Sequence, residues 1–122
     1  MMRVRLEIRD GYLFVEAGGT FEADDSREAI GRIIAACTTQ KVTRVLVDAR
    51  QIERTVAIGE RFEVARDLAE RRVLPLKMAI LVDPCQLVTK ALEDSACNRG
   101  VPLCTTASPE EAYCFLGLAP PG

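Results

Sequence analysis

Hydrophobic and polar residues alternate at the start of the chain and predict two strands joined by a tight turn. From Arg3 to Arg9 the alternation has a period of two, which is typical of a strand with one buried and one exposed face. Asp10-Gly11 is a favoured hairpin dipeptide, and Tyr12 to Ala17 forms the returning strand. Because one face of the first strand carries Arg and Glu, we expect it at the edge of a sheet.

Two helices are predicted by apolar residues at helical spacing. Asp25 and Glu28 have the spacing of a capping box, so the first helix is expected to begin there. The second helix carries charged residues between its apolar positions, as a solvated face does. The stripe of the first helix comprises Ala29, Ile30, Ile33, Ile34 and Cys37, and that of the second Ile58, Phe62, Ala65 and Ala69.

The second half of the chain repeats a strand-then-helix pattern. Thr43 to Asp48 and Lys77 to Asp83 are short aliphatic runs that each end in a carboxylate, as buried parallel strands do where they meet solvent. Gln86 to Arg99 predicts a third helix, with Gly100 as its left-handed C-cap. Pro102 to Thr105 is then a short last strand.

A fourth helix and the order of elements complete the predicted fold. Ser108-Pro109-Glu110-Glu111 combines an N-cap residue, a proline at the first helical position and a glutamate at the third. The order ββαβαβαβα predicts an α/β fold with a single mixed sheet of about five strands and about four helices. In this sheet an N-terminal antiparallel hairpin precedes parallel strands. We expect one domain over residues 1–118 and a short tail over 119–122.

Composition narrows the classes of function. The 122 residues carry 16 Lys and Arg against 18 Asp and Glu, a net charge of -2 that offers no electrostatic basis for binding nucleic acid. No apolar run is long enough for a transmembrane segment, and the start does not resemble a signal peptide, so we expect a cytoplasmic protein. The chain has no histidine, which rules out Ser-His-Asp and Cys-His catalysis and favours a non-enzymatic protein without a metal or another cofactor.

The cysteines predict neither a disulfide framework nor a zinc ribbon. They are odd in number and form no C-x-x-C pair, so we expect reduced, buried side chains. Cys85 is the exception, because amide dipoles between a strand end and a helix could lower its thiol pKa. The five are Cys37, Cys85, Cys97, Cys104 and Cys114.

Candidate functional residues gather where the predicted strands end. Ligands of α/β sheets usually meet the loops after the carboxyl ends of the strands, and Asp48 and Asp83 occupy these positions. If the two strands are neighbours, the two acids could shift each other's pKa; alternatively each caps a loop or the next helix. An enzyme would have to use these acids or Cys85.

The order of elements, with the segment Arg44 to Ile52 leading into a helix, resembles the anti-sigma-factor antagonist or STAS domain. The resemblance is to its divergent branch, grouped with lipid-binding CRAL-TRIO-like modules, and it covers nearly the whole chain. It implies a regulatory or scaffolding domain that docks through the strand-end loops and the following helix. The partner would be another protein or a second copy of the chain.

The resemblance also implies a phosphorylation switch that this chain lacks. Regulatory members carry the phosphorylated serine in a D-S-S-G-like turn. With Gly59 on the family's glycine, Val56 takes the place of its Asp, and Ala57 and Ile58 take the places of its serines. Thr55 is the only hydroxyl in this turn and would be a substitute acceptor only if the register slips.

Two functional hypotheses result. The first is docking to a protein through a surface that comprises Asp48, Arg50, Arg54, Thr55 and Asp83. The second is a small-molecule or lipid-binding module with a pocket between sheet and helices, lined by Ile58, Phe62, Leu87 or Leu92. As apolar residues, these four would also serve as ordinary core.

Overall fold

Five strands form one mixed sheet in chain order, β1-β2-β3-β4-β5. The computed structural model describes residues 2–53, 56–73, 75–87 and 97–119. β1 and β2 are antiparallel and all other neighbours are parallel, which confirms the predicted α/β fold and mixed sheet. The elements are β1 (Met2–Arg9), β2 (Tyr12–Gly19), α1 (Ala23–Gln40), β3 (Arg44–Ile52), α2 (Ile58–Arg71), β4 (Lys77–Leu81), a 3-10 turn (Pro84–Gln86), β5 (Leu103–Thr106) and α3 (Pro109–Leu116).

The sheet buries apolar side chains on both faces. Successive residues of a strand point to opposite faces, so each strand contributes to two cores. The core under α1 and α2 contains Leu13, Val45 and Met78 from the strands, Ile30, Ile33, Ile34 and Cys37 from α1, and Ala65 and Leu68 from α2. The core under α3 contains Tyr12, Phe14, Leu46, Ala79 and Leu81 with Ala112, Tyr113 and Leu116.

The hairpin and the last helix form as the sequence predicts. Gly11 adopts a left-handed φ of 82° in the turn between β1 and β2 and so supplies the conformation that the tight turn needs. β1 lies at the edge of the sheet, as its charged face indicates. At the start of α3 the Ser108 hydroxyl accepts a hydrogen bond of 3.3 Å from the Glu111 amide.

The capping box predicted at Asp25 and Glu28 is wrong. α1 begins at Ala23, with Glu22 as its N-cap residue, so Asp25 lies inside the first turn. Its carboxylate instead accepts a 2.9 Å hydrogen bond from the backbone amide of Met2, and this bond lowers the pKa of Asp25. A contact between distant parts of the chain has replaced the local cap.

β3 extends four residues past its predicted end at Asp48. The pairing of β3 with β4 stops where Asp48 faces Leu81, but β2 continues alongside β3 as far as Ile52. A register shift between Glu16 and Gly18 accommodates this extension. Asp48 is therefore within a strand and not at its end.

α2 turns a different face to the sheet than the one predicted. Ala65 is buried as expected, but Ile58 and Phe62 are 53% and 48% exposed. The buried face comprises Arg61, Ala65 and Leu68, at positions i, i+4 and i+7. The prediction failed because an arginine occupies an inward position.

Most of the helix predicted from Gln86 to Arg99 lies outside the described residues. Its first residue belongs to the 3-10 turn, and Gly100, near its far end, has the expected left-handed φ of 86°. The described ranges contain three whole α-helices, compared with about four predicted, and Cys97 and Asn98 within the predicted range are also helical.

Candidate functional site

A buried arginine ties the start of α2 to the segment after β4. The Arg61 guanidinium donates hydrogen bonds of 2.8 Å to the Val56 carbonyl, 2.9 Å to the Gln86 carbonyl and 3.1 Å to Oε1 of Gln86. The same Oε1 accepts a 3.0 Å bond from the Val56 amide. Both Arg61 and Gln86 are only 4% exposed. We call this arrangement the Arg61 clamp, and it holds the first turn of α2 in a fixed position.

The clamp is not predicted from the sequence, because Arg61 is one of the charged residues between the apolar positions of α2 and such residues indicate a solvated face. Arginine is rarely fully buried unless it is paired, so that assignment is the ordinary expectation. A signal was nevertheless present: Arg61, Ala65 and Leu68 recur at the spacing of one helix face.

A small cavity lies next to the clamp, between the sheet and the starts of α1 and α2. Its volume is about 140 Å³, and Arg61 and Gln86 are part of its wall. Apolar side chains from the strands make up much of the rest, among them Val47, Ile52, Ile80 and Val82. A wider groove of about 470 Å³ runs between α1 and α2 and shares Phe21, Ser26 and Val64 with the cavity.

The residues predicted to line a pocket are elsewhere. Ile58, Phe62 and Leu87 do not line this cavity, and each is about half exposed. Leu92 lies outside the described residues. A ligand contact at these positions stays a prediction. What the structure does give is a pair of large apolar side chains, Ile58 and Phe62, one turn apart on the surface of α2, which we call the α2 patch.

Asp48 and Arg50 form an ion pair on the opposite face of the sheet. Arg50 donates from Nε at 3.0 Å and from Nη2 at 2.8 Å to the two oxygens of Asp48. This pairing lowers the pKa of Asp48. Val47 packs on the α1 and α2 core, so its neighbour Asp48 points to the other face. The structure thus joins Asp48 to Arg50 but places both away from the α2 patch.

Asp83 caps the 3-10 turn, as the capping alternative predicts. Its Oδ1 accepts a 3.1 Å hydrogen bond from the Cys85 amide. The carboxylate raises the pKa of the exposed Cys85 thiol, first through a side-chain hydrogen bond. The expectation of a lowered Cys85 pKa is therefore wrong: the negative charge of Asp83 outweighs the local amides. The other predicted docking residues, Arg54 and Thr55, lie outside the described residues.

The cysteines are free, but they are not uniformly buried. Cys37 is buried in the core, and burial raises its pKa to about 11. Cys85, Cys97 and Cys114 are exposed, which corrects the expectation of buried side chains for Cys97 and Cys114. Their exposure follows from their place on turns and outward helix positions.

The described residues contain neither a candidate metal site nor a candidate membrane span. No three His, Cys, Asp or Glu side chains in these ranges are grouped so that they could hold a metal ion. None of the described helices has the length and apolar character that crossing a membrane requires.

The fold is similar to that of a solved protein, an anti-sigma factor antagonist from Mycobacterium paratuberculosis. The two structures align with a TM-score of 0.65 over 96% of this chain and 95% of the other, at 14% sequence identity. The chain therefore has a STAS-like fold, as the sequence resemblance indicates. No family model matches the sequence. No curated protein matches it either.

Proposed function

We propose that this chain is a non-enzymatic regulatory or scaffolding domain of the cytoplasm, spanning residues 1–118, that binds another protein through the α2 patch. The observation that carries the proposal is the exposure of Ile58 and Phe62 on a helix whose other outward residues are largely charged. The similarity in fold to an anti-sigma factor antagonist supports a role of this kind.

The α2 patch has the physical properties of a docking site. Fully burying an exposed Ile or Phe side chain is worth about 1.5–3 kcal/mol; because Ile58 and Phe62 are each about half exposed, the two together contribute roughly that much to an interface. The Arg61 clamp fixes the helix start on which they stand, which lowers the cost of ordering the site when a partner binds. Charged neighbours on α2, such as Glu63 and Arg66, supply a polar rim.

Binding at this site would not be controlled by phosphorylation within residues 56–59. Ala57 and Ile58 stand where the resemblance places the family's serines, and neither has a hydroxyl. The backbone amide of Ala57 is instead bonded at 3.0 Å to the carboxylate of Glu60. A fixed negative charge therefore already caps this helix start. Thr55 as a substitute acceptor stays a prediction.

Affinity purification from the native cells, with quantitative mass spectrometry, tests the proposal. We compare the wild-type chain, the double variant Ile58→Ser with Phe62→Ser, and Val73→Ser as a control. Val73 is 69% exposed but lies outside α2, so its change removes exposed apolar area, though less of it, from another place. We expect one partner that is retained by the control and reduced at least tenfold by the double variant.

Reconstitution with the purified partner must give the same order of affinities. Sedimentation velocity of the chain alone covers the case of a second copy: a dimer that the double variant abolishes would identify the partner as the chain itself. Equal recovery of every partner by the wild type and the double variant would refute docking at the α2 patch.

A small-molecule-binding module is the second candidate function, and the cavity beside Arg61 is the observation that favours it. The two functions use different residues, because neither Ile58 nor Phe62 lines the cavity. They can therefore be tested separately.

A further inference from the structure

We infer that the cavity beside the Arg61 clamp binds a short-chain monocarboxylate whose carboxylate pairs with the Arg61 guanidinium. This inference gives the second candidate function a ligand class and does not depend on protein docking. The first observation is the position of the Arg61 cation, which is only 4% exposed and lines the cavity. No carboxylate of the described residues forms an ion pair with it.

A buried guanidinium that no described carboxylate pairs with favours an anionic ligand. The acceptors that Arg61 reaches are two carbonyl oxygens and one amide oxygen, all neutral. These bonds use three of the five N–H donors of a guanidinium and leave two. A buried charge is costly unless it is paired, and a planar carboxylate can accept from two guanidinium N–H groups at once.

The first turns of two helices reach the wall of the cavity. Ser26, in the first turns of α1, and Val56, just before α2, both line it. Amide groups at a helix N-terminus carry partial positive charge and favour anions. At both helix starts this partial charge is offset by carboxylates, Glu60 on α2 and Asp25 on α1, so Arg61 is the group that would recognise the anion.

The volume and the walls of the cavity limit the rest of the ligand. A cavity of about 150 Å³ accommodates benzene, so 140 Å³ holds about six non-hydrogen atoms. Val47, Ile52 and Ile80 provide an aliphatic surface for an alkyl tail. A second charged group would find no counter-charge against these walls. Butyrate, with four carbons and two oxygens, has the required size and polarity.

The groove between α1 and α2 offers a route to the cavity. Phe21, Ser26 and Val64 line both spaces, so they form the boundary between them. Phe21 is 7% exposed at this boundary, and side-chain motion there is fast compared with a titration.

Titration of the full chain with sodium butyrate, followed by amide NMR shifts, tests the inference. We expect saturable shifts at residues of the cavity wall, such as Val47, Ile52 and Val56. 1-Butanol has nearly the same size without the charge and should bind at least tenfold more weakly. Butylammonium chloride has the opposite charge and should cause no shift at these amides.

Three variants assign the binding to Arg61. Arg61→Met removes the charge but keeps much of the side-chain stem, and it should weaken butyrate binding at least tenfold. Arg66→Met is the matched control, since Arg66 is on the same helix and lines only the outer groove. Ala49→Leu fills the cavity while leaving Arg61 in place, and it should abolish binding even if Arg61→Met does not fold.

Three results would overturn the inference: equal affinities for butyrate and 1-butanol, wild-type affinity in Ala49→Leu, or no saturable shift at the cavity wall. Each of these leaves the docking proposal intact, because the α2 patch lies outside the cavity. Conversely, a failure of the Ile58 and Phe62 variants to affect partner binding would leave the butyrate titration unaffected.

Discussion

At the scale of single residues, the immediate neighbour of a charged or reactive group decides its chemistry. Cys85 occupies a position that predicts an activated thiol, yet Asp83 lies against it and raises its pKa. Asp48 occupies a position that predicts a perturbed acid, yet Arg50 holds it in the ionised form. The sequence identified the right positions on the chain but could not specify which side chains would be in contact.

Asp83→Asn should therefore make Cys85 more reactive. A raised thiol pKa leaves less thiolate at pH 7–8 than the ordinary value of about 8.5 would give, and only the thiolate is alkylated. Asparagine is as good an N-cap as aspartate, so the variant removes the charge while keeping the capping bond. We expect Cys85 alkylation by iodoacetamide to speed up and its pH profile to move to lower pH.

Peptide mass spectrometry after timed alkylation measures each cysteine separately. Exposed Cys114 serves as the internal reference in the same samples, and its rate should not change with the variant. Cys37, with a pKa of about 11 and a buried side chain, should be the slowest. A wild-type Cys85 that reacts faster than a model thiol would contradict the structure and revive a catalytic role.

At the scale of the elements, local signals predict where helices and strands form, and tertiary contacts decide their orientation and length. The start of α3 was predicted correctly because its whole signal lies within Ser108 to Glu111. The extension of β3 to Ile52 was missed because it depends on pairing with β2, a strand far away in the sequence. The face of α2 was misassigned because Arg61 binds Gln86, 25 residues along the chain.

The orientation of α2 predicts a large difference in stability between two truncations. Leu68 is 1% exposed in the core, so Leu68→Ala should lower the free energy of unfolding by about 2–5 kcal/mol. Phe62 is 48% exposed, and Phe62→Ala should change it by only about 0.5 kcal/mol. Urea unfolding followed by circular dichroism measures both. Equal losses for the two variants would mean that α2 faces the sheet as the apolar pattern first suggested.

At the scale of the whole molecule, the order of elements determines much of the architecture. A hairpin followed by right-handed parallel crossovers is compatible with few strand orders. The observed order is β1-β2-β3-β4-β5, with β3 in the middle of the sheet. The candidate sites were less accessible to prediction. The Arg61 clamp and its cavity are formed by residues of β3, β4, α1 and α2 that are far apart in the sequence. A local sequence pattern does not predict which of these residues come into contact.

The central position of β3 predicts a gradient of stability across the sheet. Val45 and Leu46 are 0% and 1% exposed, one in each core, so their amides should exchange with solvent only when the whole molecule unfolds. β1 has one partner strand, and its odd-numbered residues form a charged, solvated row. Its amides should exchange through local opening, at a lower free energy. Native-state hydrogen exchange by NMR measures both sets under the same conditions. Equal protection of β1 and β3 would mean that the hairpin unfolds only with the rest of the sheet. Burial of β3 between two cores would then not make it more stable against local opening than β1.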